Sequence, residues 1–146
     1  MPEVQSFPSD PTELWAFMEA AGRDRLPGLL GLELVELQPR TCTMRVQLET
    51  KHEASNGYLH AATIIALADS AAGYGTVASL PEGAYGFTTI ELKSNHLSTL
   101  RSGGMRAVAT IAHGGRTTQV WDAVVTAEGT GRTIALFRNT QLILYP

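Results

Sequence analysis

The segment 59–80 constrains this chain more than any other. It is rich in Ala, holds few β-branched residues, has no Pro before Pro81, and reads as one long helix that is apolar on nearly every face. A helix of that kind is stable only when other elements cover most of its circumference. One residue breaks the pattern. Asp69 is the only formally charged residue between Glu53 and Glu82, in the middle of Thr63-Ile64-Ile65-Ala66-Leu67-Ala68-Asp69-Ser70-Ala71-Ala72-Gly73. Its helical neighbours three and four positions away are Ala66, Ile65, Ala72 and Gly73, and the nearest Lys or Arg in sequence are Lys51 and Lys93. Burying an unpaired charge costs far more than burying a methyl group. A carboxylate so placed is expected to titrate above its ordinary value, which is how such a group becomes a general base near neutral pH. Two plainer roles stay open: a cap for a helix starting at Ser70, or a side chain facing water.

The rest of the chain supplies the cover. Asp10 reads as the N-cap of a first helix, with Pro11 in its first turn, Glu13 closing a capping-box-like pair, a stripe of Leu14, Phe17 and Met18, and Gly22 as the stop before a break at Pro27-Gly28. Segments 30–37 and 41–48 alternate apolar and polar residues around Gln38-Pro39-Arg40, which predicts a hairpin. A polar loop from Lys51 to Tyr58 leads into the long helix. Strand-like runs at 87–100, 105–112, 117–128 and 133–145 follow it, punctuated by Gly-rich turns. The expected architecture is α+β, a hairpin and a meander of long strands wrapped on one helix.

Composition narrows the function classes. With 146 residues, 44% hydrophobic and 17% charged, the chain has the makings of one globular domain over 1–146, with 1–28 as an N-terminal helical extension. A net charge of -3 and dispersed arginines (Arg101, Arg106, Arg116, Arg132, Arg138) give no track for a nucleic-acid backbone. The lone Cys42 has no internal disulfide partner and alternates with Arg and Thr neighbours, so it reads as a packing residue. Met1-Pro2-Glu3-Val4-Gln5 lacks a basic and then apolar leader, and the 59–80 run is too diluted by Gly, Ala and Asp69 to span a bilayer. The expectation is a cytoplasmic protein without a membrane or nucleic-acid partner. His52, His96 and His113 show no metal-ligand spacing, so no metal is expected.

The string Asn56-Gly57-Tyr58-Leu59-His60-Ala61-Ala62, followed by Leu67-Ala68-Asp69-Ser70-Ala71-Ala72-Gly73, resembles the hotdog-fold acyl-CoA thioesterases, and more narrowly their phenylacetate-degradation-type (PaaI-like) group. That group places Gly-x-x-His-Gly-Gly at the helix entrance, an acidic residue nine positions after the His and a small residue on the next strand; here Gly57, His60 and Asp69 hold the matching positions. The resemblance implies a hotdog fold, a long central helix wrapped by a largely antiparallel sheet of five to six strands. It implies hydrolysis of an acyl-CoA or aryl-CoA thioester by a homodimer or a dimer of dimers, with no cofactor, since CoA is part of the substrate. Asp69, Ala61 and His60 then form the catalytic set, and Asn56, Gly57, Ala62, Thr89 and Arg116 contact substrate. Arg101 and Arg106 are further candidates for the CoA phosphates. Two positions depart from the group. Ala61-Ala62 replaces its paired Gly while keeping the backbone N–H, and Ala54 stands where it carries a loop amide, a role that would shift to Asn56.

Thioester hydrolysis needs a donor for the developing oxyanion and a group to deliver water or attack. Ala61 N–H and Asp69 are separated by about 12 Å of helix, too far to serve one carbonyl in one subunit. Two antiparallel central helices across a two-fold axis would bring Asp69 of one subunit to Ala61 of the other. Two other functions stay open. A non-catalytic acyl-CoA-binding hotdog module would ordinarily carry a DNA-binding segment, and nothing before Leu30 is long or basic enough to be one. A hotdog enoyl-CoA hydratase or dehydratase would show a Pro-Gly-rich helix entrance, which this chain lacks.

Overall fold

A computed structural model of the chain describes residues 6–146; Met1-Pro2-Glu3-Val4-Gln5, read above for a leader, lies outside the described residues. The first helix, α1 (Pro11–Gly22), starts where Asp10 Oδ2 accepts the Glu13 N–H at 3.0 Å, and it buries Leu14 and Met18. The return bond that would complete a capping box from Glu13 is not among the hydrogen bonds of the described residues. Pro27-Gly28 does more than break the chain, because it forms the one-turn helix α2 (Leu26–Leu29). A Cβ on Gly28 would lie 1.9 Å from the Arg23 carbonyl oxygen, so only Gly permits that approach. This turn displaces the first strand, expected from Leu30, to Glu33.

Six antiparallel strands follow: β1 (Glu33–Gln38), β2 (Thr41–Gln47), β3 (Gly86–His96), β4 (Gly104–Gly114), β5 (Thr118–Ala127) and β6 (Thr133–Leu144). Their order in the sheet is β1-β2-β4-β5-β6-β3. The long helix, α3 (Ala61–Ala78), crosses the concave face, starting two residues later than the apolar run because Leu59 forms a bridge with Glu53. Small side chains line both sides of the contact: Ala68, Ala71 and Ala72 on α3, and Ala107, Ala109, Ala123 and Ala135 on the strands. They let helix and sheet approach closely, while Met44, Leu67, Met105, Trp121 and Ile134 fill the volume between. Against the expectation from its Gly, Ala and Asp69 content, α3 is by length and composition the one helix among the described residues that could cross a membrane, and just over half of it is buried inside the fold.

Trp121 fixes the helix lengthwise. Its ring lies against Gly75, where a Cβ would come within 2.6 Å of it, and its Nε1 donates to Gln119 Oε1 at 2.9 Å. Gln119 Nε2 donates in turn to the Ser79 carbonyl at the end of α3, at 2.8 Å. All of Trp121 and nearly all of Gln119 are buried, and the pair is fully hydrogen-bonded, as an interior polar group must be.

Cys42 is wholly buried on β2, and burial pushes its thiol up to about 12, which confirms packing over reactivity. Native protein at pH 8 is therefore expected to resist an aromatic disulfide reagent for hours and to release one thiol equivalent per chain once denatured. Fast reaction in the native state would contradict this burial.

The outer strand β3 has β6 on one side and, among the described residues, no strand on the other. It runs for eleven residues and leaves Ile90 and Leu92 exposed, an unpaired edge of the sort that proteins cover or pair.

Candidate functional site

The start of α3 is built from two histidines. His52 is buried; its Nδ1 accepts the Glu49 N–H at 2.9 Å, so Nε2 carries the proton it donates to the Leu30 carbonyl at 2.6 Å. The His52 carbonyl then receives His60 N–H and Thr63 Oγ1, both at 3.0 Å, which ties the polar loop to the helix. Within that loop Gly57 adopts φ of +80°, and Asn56 Oδ1 accepts the Tyr58 N–H at 3.2 Å. The Asn56 carbonyl is thus engaged locally, leaving its Nδ2 as the group free to face a ligand.

His60 is the N-cap of α3, and its Nδ1 accepts the Ala62 N–H at 2.9 Å. The Thr63 N–H goes to the His60 carbonyl. This leaves the exposed Ala61 N–H as the first unpartnered donor of an eighteen-residue helix, at its positive end. Ala62, by contrast, has its N–H consumed by the cap.

Asp69 sits in the middle of α3, which rules out a cap for a helix starting at Ser70. The carboxyl is half-buried; burial pushes its pKa above the ordinary range, opposed by one hydrogen bond from Asn139 Nδ2 to Oδ1 at 3.0 Å. Asn139 lies on β6 between Trp121 of β5 and Leu92 of β3, with its side chain on the helix-facing side. One inward position further along β6, Gln141 Oε1 accepts from Thr89 Oγ1 of β3 at 2.7 Å. Thr89 therefore belongs to the same wall as Asn139. Three buried polar atoms on this wall lack a partner: Ser94 Oγ, Asn139 Oδ1 and Gln141 Nε2.

The remaining sequence candidates lie apart. Arg116 stacks over the Tyr145 ring at 5.5 Å in the turn between β4 and β5, close to Gln119 and hence to the far end of α3. Ala61 and the end of α3 are about 27 Å apart along the helix, so Arg116 does not approach Ala61 of its own chain. Arg106 stands on the sheet face away from α3, between the buried Met105 and Ala107. Arg101 lies over the Tyr58 ring at 5.2 Å, beside the loop that opens α3. Among the described residues no group of three or more His, Cys, Asp or Glu side chains could hold a metal ion. A cavity of about 310 Å³ opens between α1, α3 and β3, lined by Phe7, Phe17, Met18, Tyr74, Val77 and Phe87. Phe87 also abuts Gly73, one helical turn after Asp69.

Asn139 and Gln141 were not foreseen from sequence; the available signal was two amides in a strand whose alternate positions are Ala135, Phe137 and Ile143.

A helix wrapped in an antiparallel sheet, with a free donor at its start and an isolated carboxyl at its middle, is the arrangement of a hotdog protein. The model of the thioesterase superfamily matches residues 56–134, and the chain belongs to that superfamily, an enzyme of the thioester-hydrolase class. A 1,4-dihydroxy-2-naphthoyl-CoA hydrolase of Listeria monocytogenes is 30% identical over 111 residues, covering 76% of this chain and 89% of the relative. The crystal structure of a mutant of thioesterase PA1618 from Pseudomonas aeruginosa superposes with a TM-score of 0.82 at 27% identity, over 89% of this chain and 93% of that one. The PaaI protein of Escherichia coli shares the fold, with a TM-score of 0.77 at 19% identity over 89% and 92% of the two chains.

Proposed function

We propose that this thioesterase hydrolyses a CoA thioester of the PaaI-like kind, using Asp69 of one subunit and the Ala61 N–H of another. The observation that carries this reading is the pairing, on one helix, of an unpartnered N-terminal N–H and a half-buried carboxyl with a raised pKa. Asp69 takes a proton from water as it attacks the thioester carbonyl, or attacks directly. The oxygen that becomes negative is received by the Ala61 N–H. In the base route the C–S bond then breaks and the CoA sulfur takes the proton Asp69 removed from water. In the direct route CoA leaves as thiolate, an acyl-Asp69 anhydride forms, and water hydrolyses it to the free acid and the carboxylate. His60 acts through its cap, which commits the Ala62 N–H and leaves Ala61 available. Thr89, Gly57 and the Asn56 amide line the approach, while Arg101 or, across the dimer, Arg116 is suited to the CoA phosphates.

On this reading the distance along α3 favours two chains, and the β3 edge, which pairs with no strand of the described residues beyond β6, offers a way to join them by extending the sheet about a two-fold axis. A dimer of dimers has a candidate surface in Val108, Val124 and Leu136, which form one exposed row across β4, β5 and β6. The aromatic cavity beside Gly73 and the naphthoyl-CoA hydrolase relative both favour an aromatic acyl group. A panel of acetyl-, hexanoyl- and benzoyl-CoA, followed by free-thiol detection, tests this preference.

Complementation tests the shared site. Ala61→Pro removes the proposed oxyanion donor at a helix position where Pro is well tolerated. The preceding His60 already has φ of -71° and ψ of 131°, the extended conformation that a following Pro demands. Ala61→Pro and Asp69→Asn homodimers should each be nearly inactive. Co-refolded, roughly half the dimers are mixed and each has one intact site, so the mixture should recover roughly a quarter of wild-type activity. No recovery, with mixed dimers demonstrated by tagging, would place both groups in one chain and sink the shared site.

A further inference from the structure

We propose that Asn139 is the positioning residue for Asp69: a side chain anchored between two neighbouring strands that holds the carboxyl in a single orientation for proton transfer. This rests on the reading of Asp69 as the reacting carboxylate. Asn139 is 1% exposed, and its strand is laddered on both sides, so its Cβ is fixed more firmly than any position on a loop. Its Nδ2 meets Asp69 Oδ1 at 3.0 Å, while its own Oδ1 is buried with no partner. An orphaned buried acceptor costs the full desolvation of that group, and an apolar residue at this position, between Phe137 and Gln141 on the inner face, would avoid that cost. An ionised carboxylate can only accept, so it forces the amide to present its nitrogen and strands the oxygen on the other side.

Among the described residues no Asp, Glu, Lys or Arg of β3 or β6 shares this wall with Asn139. Asn139 is the β6 residue that touches Asp69; by register it shares the inner face with Gln141 of β6 and with Thr89, Leu92 and Ser94 of β3, and His96 lies one inward position beyond Ser94. Glu91, Lys93 and Arg138 point to the other face, where Arg138 is paired with Asp122. On α3 itself the nearest titratable side chains are His60 and Tyr74. The bond from Asn139 is therefore the one polar contact opposing the upward push of burial on the Asp69 carboxyl.

The test is Asn139→Leu, which matches the amide in size and removes both the bond and the orphaned acceptor, with folding checked by circular dichroism. In wild type and variant, the Asp69 carboxyl is titrated by carbon NMR on Asp-labelled protein, and kcat/KM is followed against pH with the fastest substrate of the CoA panel. The variant should titrate at higher pH, its acid limb should move by the same amount, and kcat at the optimum should fall on the order of tenfold or more with KM within about twofold. Asn139→Asp, which sets a second carboxylate against the first, should shift the titration further in the same direction. An unchanged Asp69 titration in Asn139→Leu would overturn the positioning role. If instead the titration moves while Asp69→Asn keeps full activity, the positioning contact stands and the catalytic reading of Asp69 fails.

Discussion

Replacing Asp69 with Asn is expected to lower kcat by about 10²–10⁴-fold, the range over which a positioned acid or base acts, while leaving the fold intact. The fold survives because the Asn carbonyl can still accept from Asn139 Nδ2, so the contact at 3.0 Å has a neutral equivalent. The same substitution should raise stability at neutral pH. A carboxyl whose folded pKa lies above its unfolded value binds its proton more tightly in the native state. Its contribution is full below the ordinary value of 3.8 and is lost as pH rises through the folded pKa, so at pH 7 the ionised group is a burden on the fold. Thermal unfolding followed from pH 3 to pH 8 should show wild type and variant converging at the acid end and the variant melting higher at the neutral end. Activity within a few-fold of wild type would remove Asp69 from the chemistry. A variant that melts lower at pH 8 would mean that the charge is better satisfied than a single amide allows.

Trp121→Ala should give the largest loss of stability, about 3–5 kcal/mol, because an aromatic side chain with no exposed surface leaves a cavity on truncation. Against a typical total of about 5–15 kcal/mol this is roughly a fifth or more of the whole. Two effects combine here. The space above Gly75 empties, and Gln119 Oε1, itself buried, loses the indole N–H that it accepts at 2.9 Å. The urea midpoint should fall accordingly. A loss below about 1 kcal/mol would show that α3 settles onto the sheet without its largest contact.

Much of this architecture is legible in the residues. The unbroken apolar character of α3 and the Gly-rich turns between long alternating runs fix the elements to within a few residues. Asp69 stands out because charge is rare in such a helix. The other half of the site is hidden for a physical reason. In β6 both faces mix apolar and polar residues: Ala135, Phe137, Asn139, Gln141 and Ile143 on one, Leu136, Arg138, Thr140 and Leu142 on the other. Periodicity alone does not say which face turns inward, and only the ladders to β5 and β3 set Asn139 opposite Asp69. The one-turn helix α2 was illegible for a different reason. Four residues carry no period, and the turn depends on the approach of Gly28 to a carbonyl five residues earlier. Arg116 is implied by the family resemblance; the separation of its turn from Ala61 of the same chain follows from the folded length of α3, which one-residue correspondences do not carry.

The indole seated on Gly75 works as an index mark between two parts that could otherwise slide. Asp69 lies six residues from that mark, about 9 Å along the axis, so thermal play in the helix has little length over which to accumulate before it reaches the carboxyl. The interval is also intolerant of editing. One residue inserted between Asp69 and Gly75 would turn the carboxyl by about 100° away from Asn139, whereas an insertion in the Pro81 to Ala84 turn would leave both partners where they are. Drift in chain length is thus admissible on the loop side of the mark and forbidden on the helix side, and any homologous chain that keeps this chemistry should keep that spacing.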